Sequence, residues 1–102
     1  MTSDLRFDPP EVTIDVGQRV TWNNESRVPH TASAYQNRIP DDASYFASGD
    51  YQSEKAVRQS TSARGFLERG ETYEYTFEVT GTHRYFCLPH EENGMIGIVV
   101  VE

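Results

Sequence analysis

The stretch Gly81-Thr-His-Arg-Tyr-Phe-Cys87-Leu-Pro-His90-Glu-Glu-Asn-Gly-Met95-Ile-Gly-Ile-Val-Val-Val101 passes from one strand pattern into another through a loop rich in unusual side chains. Thr82 to Cys87 reads as a strand opened by the turn at Gly81, and Met95 to Val101 reads as the last strand, a β-branched run suited to a central or closing position. The connection between them places a thiolate, an imidazole and a thioether, from Cys87, His90 and Met95, within nine residues. Cys87 is the only cysteine, and Met95 is the only methionine besides Met1. A single cysteine excludes an intrachain disulfide and any centre that needs two thiolates.

The upstream sequence has the same all-β character. Thr72 to Val79 alternates Tyr73, Tyr75, Phe77 and Val79 with polar residues, as a half-buried strand does. Val12 to Ile14 and Arg19 to Trp22 are further alternating segments. Asp15-Val-Gly17-Gln18 reads as the turn between them, with Gly17 able to take a positive φ. Trp22 is expected in the core. Phe7-Asp-Pro-Pro10 has turn character, and Asn23-Asn24 stops the second strand. The segment 35–69 is irregular, and in it Ser53 is placed to cap a short helix near 53–59. The expectation is one domain over 1–102, a Greek-key β-sandwich or barrel of about seven to eight strands.

A fourth group completes the set. His30 follows Pro29 beyond the end of an earlier strand. Taken singly, a buried Cys is a small hydrophobe, a Met is core, and a His is hydrogen-bonded or exposed. Together, two imidazoles, one thiolate and a weak thioether make the ligand set of a mononuclear blue-copper site, with His30, Cys87, His90 and Met95 as the metal ligands. His83 lies about 13 Å along the strand from Cys87 at ~3.3 Å per residue and is read as non-ligating. With four protein donors no position is open to substrate, so the function expected is electron transfer by one Cu(I)/Cu(II) ion and not enzymatic catalysis. The alternatives are a copper-binding or delivery module, a zinc-stabilised domain, for which Met95 would add little, and a Cys87–His90 thiol enzyme, which would leave Met95 and His30 unexplained.

Composition limits the partners. The formal charge is -7, from 16 acidic against 9 basic residues, and Lys55 is the only lysine. Such a surface repels phosphates, so nucleic acid is not an expected partner. A lysine-poor acidic chain also fits a high-salt habitat, where ions screen its self-repulsion. No apolar run reaches the ~18 residues that a membrane span needs, and no leader pattern opens the chain.

The sequence resembles the cupredoxins, in particular the plastocyanin, halocyanin and pseudoazurin branch. Three segments carry the resemblance: Phe7-x-Pro9-x-x-Val12-x-Ile14-x-x-Gly17-x-x-Val20-x-Trp22-x-Asn24, then Pro29-His30, then Gly81-x-x-x-Tyr85-Phe86-Cys87-x-x-His90-x-x-x-x-Met95-x-Gly97. The gaps of two and four residues in the last segment match this branch, whereas azurins have a longer loop. The stretch 36–66 carries little of the likeness.

The resemblance implies a monomeric, exported carrier at the outer face of the cell membrane or in a periplasm-like space. Its leader or membrane anchor would lie outside this chain, and the acidic composition leans toward the halocyanins of salt-loving archaea. It also implies that redox partner proteins dock transiently on an apolar patch around His90, Leu88 and Pro89, with Glu91 and Glu92 as rim charges. Thr31 stands where plastocyanins and pseudoazurins usually have Asn, a position expected to brace the ligand loop and aim a backbone N–H at the thiolate sulfur. The backbone donor survives the change, and the brace depends on what a threonine hydroxyl reaches. Phe86 stands where plant plastocyanins carry Tyr as a second electron route, which makes that route less secure here.

Overall fold

The computed structural model describes residues 1–2, 5–60 and 64–102. Its strands are β1 (Glu11–Ile14), β2 (Arg19–Asn23), β3 (Ser33–Ala34), β4 (Thr72–Thr76), β5 (Gly81–Phe86) and β6 (Ile96–Val101), with one short helix, α1 (Glu54–Gln59). One sheet has the order β1-β6-β5-β3 and the other is the antiparallel pair β2-β4. β1 runs parallel to β6, so the first strand lies beside the last, and β6 is antiparallel to β5. Among the described residues the two sheets do not close into a barrel.

Alternation accounts for the packing between the sheets. Trp22 of β2 is buried, stacked on Tyr73 of β4 at 5.4 Å and on Phe46 at 5.8 Å, with its edge toward Tyr85 of β5 at 5.3 Å. Tyr85 in turn meets Phe7 edge-on at 4.6 Å. These rings carry much of the apolar burial that holds so small a chain together. Gly97, paired with Tyr85 across β5 and β6, leaves room for this arrangement: a Cβ there would lie 2.1 Å from the tyrosine ring. Gly97→Ala is therefore expected to destabilise the protein by about 1–3 kcal/mol through overpacking, read as a lower midpoint in urea. A midpoint equal to the parent's would mean that the ring moves aside freely.

The expected helix is present, and the Ser53 side chain accepts the Ala56 N–H at 3.1 Å as its cap. Three expectations are corrected. Six strands are described, fewer than seven or eight: the irregular segment contributes α1, a 3-10 turn at Gln36–Arg38 and isolated bridges, and residues 61–63 of that segment lie outside the described residues. β4 stops at Thr76 and not at Val79, because its partner β2 begins only at Arg19, after the Asp15–Gln18 turn, leaving only the Phe77 bonds to Gly17 and Gln18. Met95 precedes β6: its backbone closes the loop, its carbonyl accepting the Cys87 N–H at 3.1 Å.

Candidate metal centre

Three segments meet at one end of the sandwich. β5 delivers Cys87 immediately past its last residue. A 3-10 helix at Leu88–Asn93, with Pro89 in its first turn, turns the chain back and presents His90. Gly94, at φ 80° in the left-handed region that glycine adopts without strain, ends that turn and leads Met95 into β6. The third segment is the loop after β2. Asn24, fully buried, holds it: its Nδ2 donates to the carbonyls of Val28 and Leu67, and its Oδ1 accepts from the N–H and hydroxyl of Ser26. His30 then pairs with Leu67 through two backbone hydrogen bonds, which fixes where its ring enters.

A Cys87 sulfur and one ring nitrogen each from His30 and His90 lie within 4.8 Å of one another. His30 Nδ1 is 3.7 Å from Cys87 Sγ, and the two imidazoles meet edge to face at 5.2 Å. Metal bonds of about 2.0 Å to nitrogen and 2.3 Å to sulfur put the donors of a trigonal set about 3.5 Å apart, so one ion fits among these three. The tautomers suit it. His30 Nε2 donates to the Thr2 carbonyl at 3.0 Å, with Ser26 Oγ also at 3.0 Å, and His90 Nε2 donates to the Pro29 carbonyl at 3.2 Å. Each Nε2 therefore carries the proton, and each Nδ1 keeps its lone pair for a metal.

Sulfur and imidazole are also prepared electrostatically. The Thr31 backbone N–H points at Cys87 Sγ at 3.3 Å. The Thr31 hydroxyl accepts the Leu88 N–H at 2.8 Å, so threonine does supply the side-chain brace on the ligand loop. Burial, with His90 close by, pushes the His30 pKa down and keeps that ring neutral. Burial pushes the Cys87 thiol up. A reactive nucleophile needs the opposite shift and access to solvent, whereas Cys87 is fully buried. Metal binding must displace the thiol proton, so metal uptake weakens as the pH falls.

Met95 is buried at the end of the same loop, among the core residues that include Cys87. His83 stands apart from the cluster: it is buried against Phe77, donates from Nε2 to the Val79 carbonyl at 3.0 Å and leaves Nδ1 without a partner among the described residues. Sequence reasoning missed Thr2 and Ser26, and it read Asn24 as a strand stop and a family-motif position without its role in holding the His30 loop. It also misread Glu91. Glu92 is exposed, but Glu91 is half-buried and accepts from both Arg58 Nη atoms, at 2.8 and 3.1 Å, and from the Tyr35 hydroxyl. That pairing holds the Glu91 carboxyl below its ordinary pKa, with Arg58 the main cause. Glu91 is thus not a bare rim charge.

The sequence pattern of the copper-binding proteins of the plastocyanin/azurin family matches residues 1–102. The chain belongs to this family. It is 32% identical to the plastocyanin of Scenedesmus fuscus over 96% of this chain and 88% of that one, and 31% identical to the plastocyanin of Ginkgo biloba over 96% and 89%. Among solved structures, an oxidised methionine-to-leucine variant of amicyanin superposes with a TM-score of 0.67 at 26% identity, covering 96% of this chain and 74% of that one. A purple cupredoxin from Nitrosopumilus maritimus superposes with a TM-score of 0.62 at 26% identity, covering 95% and 82%. The fold is that of a cupredoxin, and the expectation of a type I copper protein holds: one copper ion is the cofactor and electron transfer the function. Among the described residues no helix is long and apolar enough to cross a membrane.

Proposed function

We propose that His30 Nδ1, Cys87 Sγ and His90 Nδ1 would hold the copper, that Met95 would be a fourth and weaker donor, and that the chain catalyses no reaction of its own. The observation that carries this is the convergence of the three donor atoms within 4.8 Å, with both histidine tautomers already set. Copper, when bound, supplies a one-electron couple between Cu(I) and Cu(II). The protein's part is to keep the donors in place through both states: Thr31 fixes the thiolate, Thr2 and Ser26 fix one imidazole, and the Pro29 carbonyl fixes the other. An oxidised sample is expected to be intensely blue and to bleach on addition of ascorbate. A colourless oxidised sample that retains copper would refute the reading.

Electrons leave, on this reading, through His90, the more exposed of the two imidazoles, at a small apolar contact made with Leu88 and the exposed Pro89. A small contact lets redox partner proteins leave quickly. Leu88 is half-buried against the Ala47, Val57 and Phe86 cluster. Leu88→Glu is expected to slow electron exchange at least tenfold at every salt concentration, because a charge would have to be desolvated in the contact. Stopped-flow rates with a cationic and an anionic partner, taken with the visible spectrum to confirm an intact site, check this. Rates equal to the parent's with both partners would move the exit elsewhere.

We place the carrier outside the cell, at the membrane's outer face or in a periplasm-like space, as a monomer from a high-salt, halocyanin-like setting. The support for the high-salt setting is the charge of -7 with a single lysine. The melting temperature is then expected to climb from low to molar salt, beyond the ~10 Å screening reached near 0.1 M. A flat response would contradict the high-salt assignment.

A further inference from the structure

One guanidinium touches both sides of the metal loop. Arg58, near the end of α1, grips Glu91, the residue after His90, through a two-pronged pair at 2.8 and 3.1 Å. Its carbon lies 4.4 Å from the ring centre of Phe86, the residue before Cys87. The grip is itself held. Arg58 Nε donates to Glu54 Oε2 at 2.8 Å, one helical turn back. Glu54 Oε1 accepts the Gln36 N–H at 2.8 Å while Gln36 Oε1 accepts the Glu54 N–H at 3.0 Å. Tyr35 closes the cluster, its hydroxyl donating to Glu91 and its ring lying 4.6 Å from that of Phe86. Burial and the Glu91 carboxylate together raise the Tyr35 pKa to about 12, so the hydroxyl stays a donor across the ordinary pH range.

Each contact has a geometric reason to matter. A six-residue helix has little stability of its own, so α1 depends on such tertiary ties for a fixed place. The planar fork of arginine fixes the orientation of a carboxylate as well as its distance, which a single ammonium charge does not. Apart from this grip the loop from Cys87 to Met95 rests on a 3-10 turn, a few backbone bonds and, nearer its start, the Thr31 hydroxyl on the Leu88 N–H and the His90 ring on the Pro29 carbonyl, and short turns of this kind open locally with ease.

We propose that Arg58 is a positioning residue for the copper loop, holding Phe86 and Glu91 so that Cys87 and His90 keep one arrangement with or without the metal. This rests on the ligand assignment given above, and the test separates the two. Amide hydrogen exchange on the metal-free protein reads the loop directly, since no copper is needed. In Arg58→Leu the amides of residues 88–95 are expected to exchange at least tenfold faster while those of β5 and β6 keep their protection. In the copper-loaded form, release of copper to a chelator is expected to be about tenfold faster, the effect usual for groups that support a ligand. Arg58→Lys, which keeps the charge but loses the fork, is expected to recover only a small part of both. Should Arg58→Leu not fold, Glu91→Gln, which leaves the Glu54–Arg58 pair in place, is expected to show the same two changes. Loop exchange and copper release equal to the parent's in whichever variant folds would overturn the proposal, as would full rescue by lysine. Faster loop exchange in a protein whose copper proves not to be bound through sulfur would sustain the proposal for the loop while removing the ligand assignment.

Discussion

Cys87→Ala is expected to abolish the intense visible absorption of the copper-loaded protein and leave a folded chain. The band requires electron density to pass between thiolate and copper, and Cys87 holds the only thiol in the sequence. The change removes one buried sulfur from a site packed between Thr31 and Met95, and it deprives the Thr31 N–H of its acceptor. Both effects are local. Their sum is about 1–3 kcal/mol, within what a small domain survives. Far-ultraviolet circular dichroism checks the fold and absorption checks the centre. A blue Cys87→Ala variant would end the proposed ligand set, and an unfolded one would mean that the sulfur serves the core more than expected.

Met95 carries the second large effect. Met95→Leu conserves volume in the core, so its cost in stability is expected to stay below about 1.5 kcal/mol and copper to be retained. Losing the weak sulfur donor weakens Cu(II) more than Cu(I). A tenfold loss of that kind raises a one-electron potential by about 59 mV, which sets the expected scale. Met95→Gln is expected to move the potential the other way, because a harder oxygen donor favours Cu(II). Voltammetry on both variants decides the matter, and no shift in either would make Met95 a core residue with no bond to the metal.

What the sequence disclosed depended on how local the cause was. The β1–β2 alternation, the Gly17 turn and the Ser53 cap each rest on residues only a few positions apart, and all were legible. So was the ligand loop, because Cys87, His90 and Met95 sit on one connection. The end of β4 was not legible, since the polar and apolar residues alternate through Val79 and only the loss of a β2 partner stops the pairing at Thr76. The place of Glu91 was hidden for a similar reason. It lies 33 residues from Arg58, and nothing in either neighbourhood marks the pair before α1 is folded against the loop. Thr31 shows the converse: the hydroxyl meets the Leu88 N–H only because the pairing of Ser33 with Phe86 across β3 and β5 brings the two segments together. The supports of His30 from Thr2 and Ser26 are contacts of common residue types, and no spacing announces them.

X-ray absorption at the copper edge tests the central claim most directly, because it counts the atoms bonded to the metal and measures their distances without reference to colour or stability. The expected result for the oxidised protein is one short copper–sulfur bond from Cys87 and two copper–nitrogen bonds from His30 and His90. A second, much longer sulfur contact from Met95 should vanish in Met95→Leu, and the same short shells should persist after reduction with little change in length. A spectrum with no short sulfur shell, or with a single nitrogen, would contradict the assignment of His30, Cys87 and His90 to one copper ion.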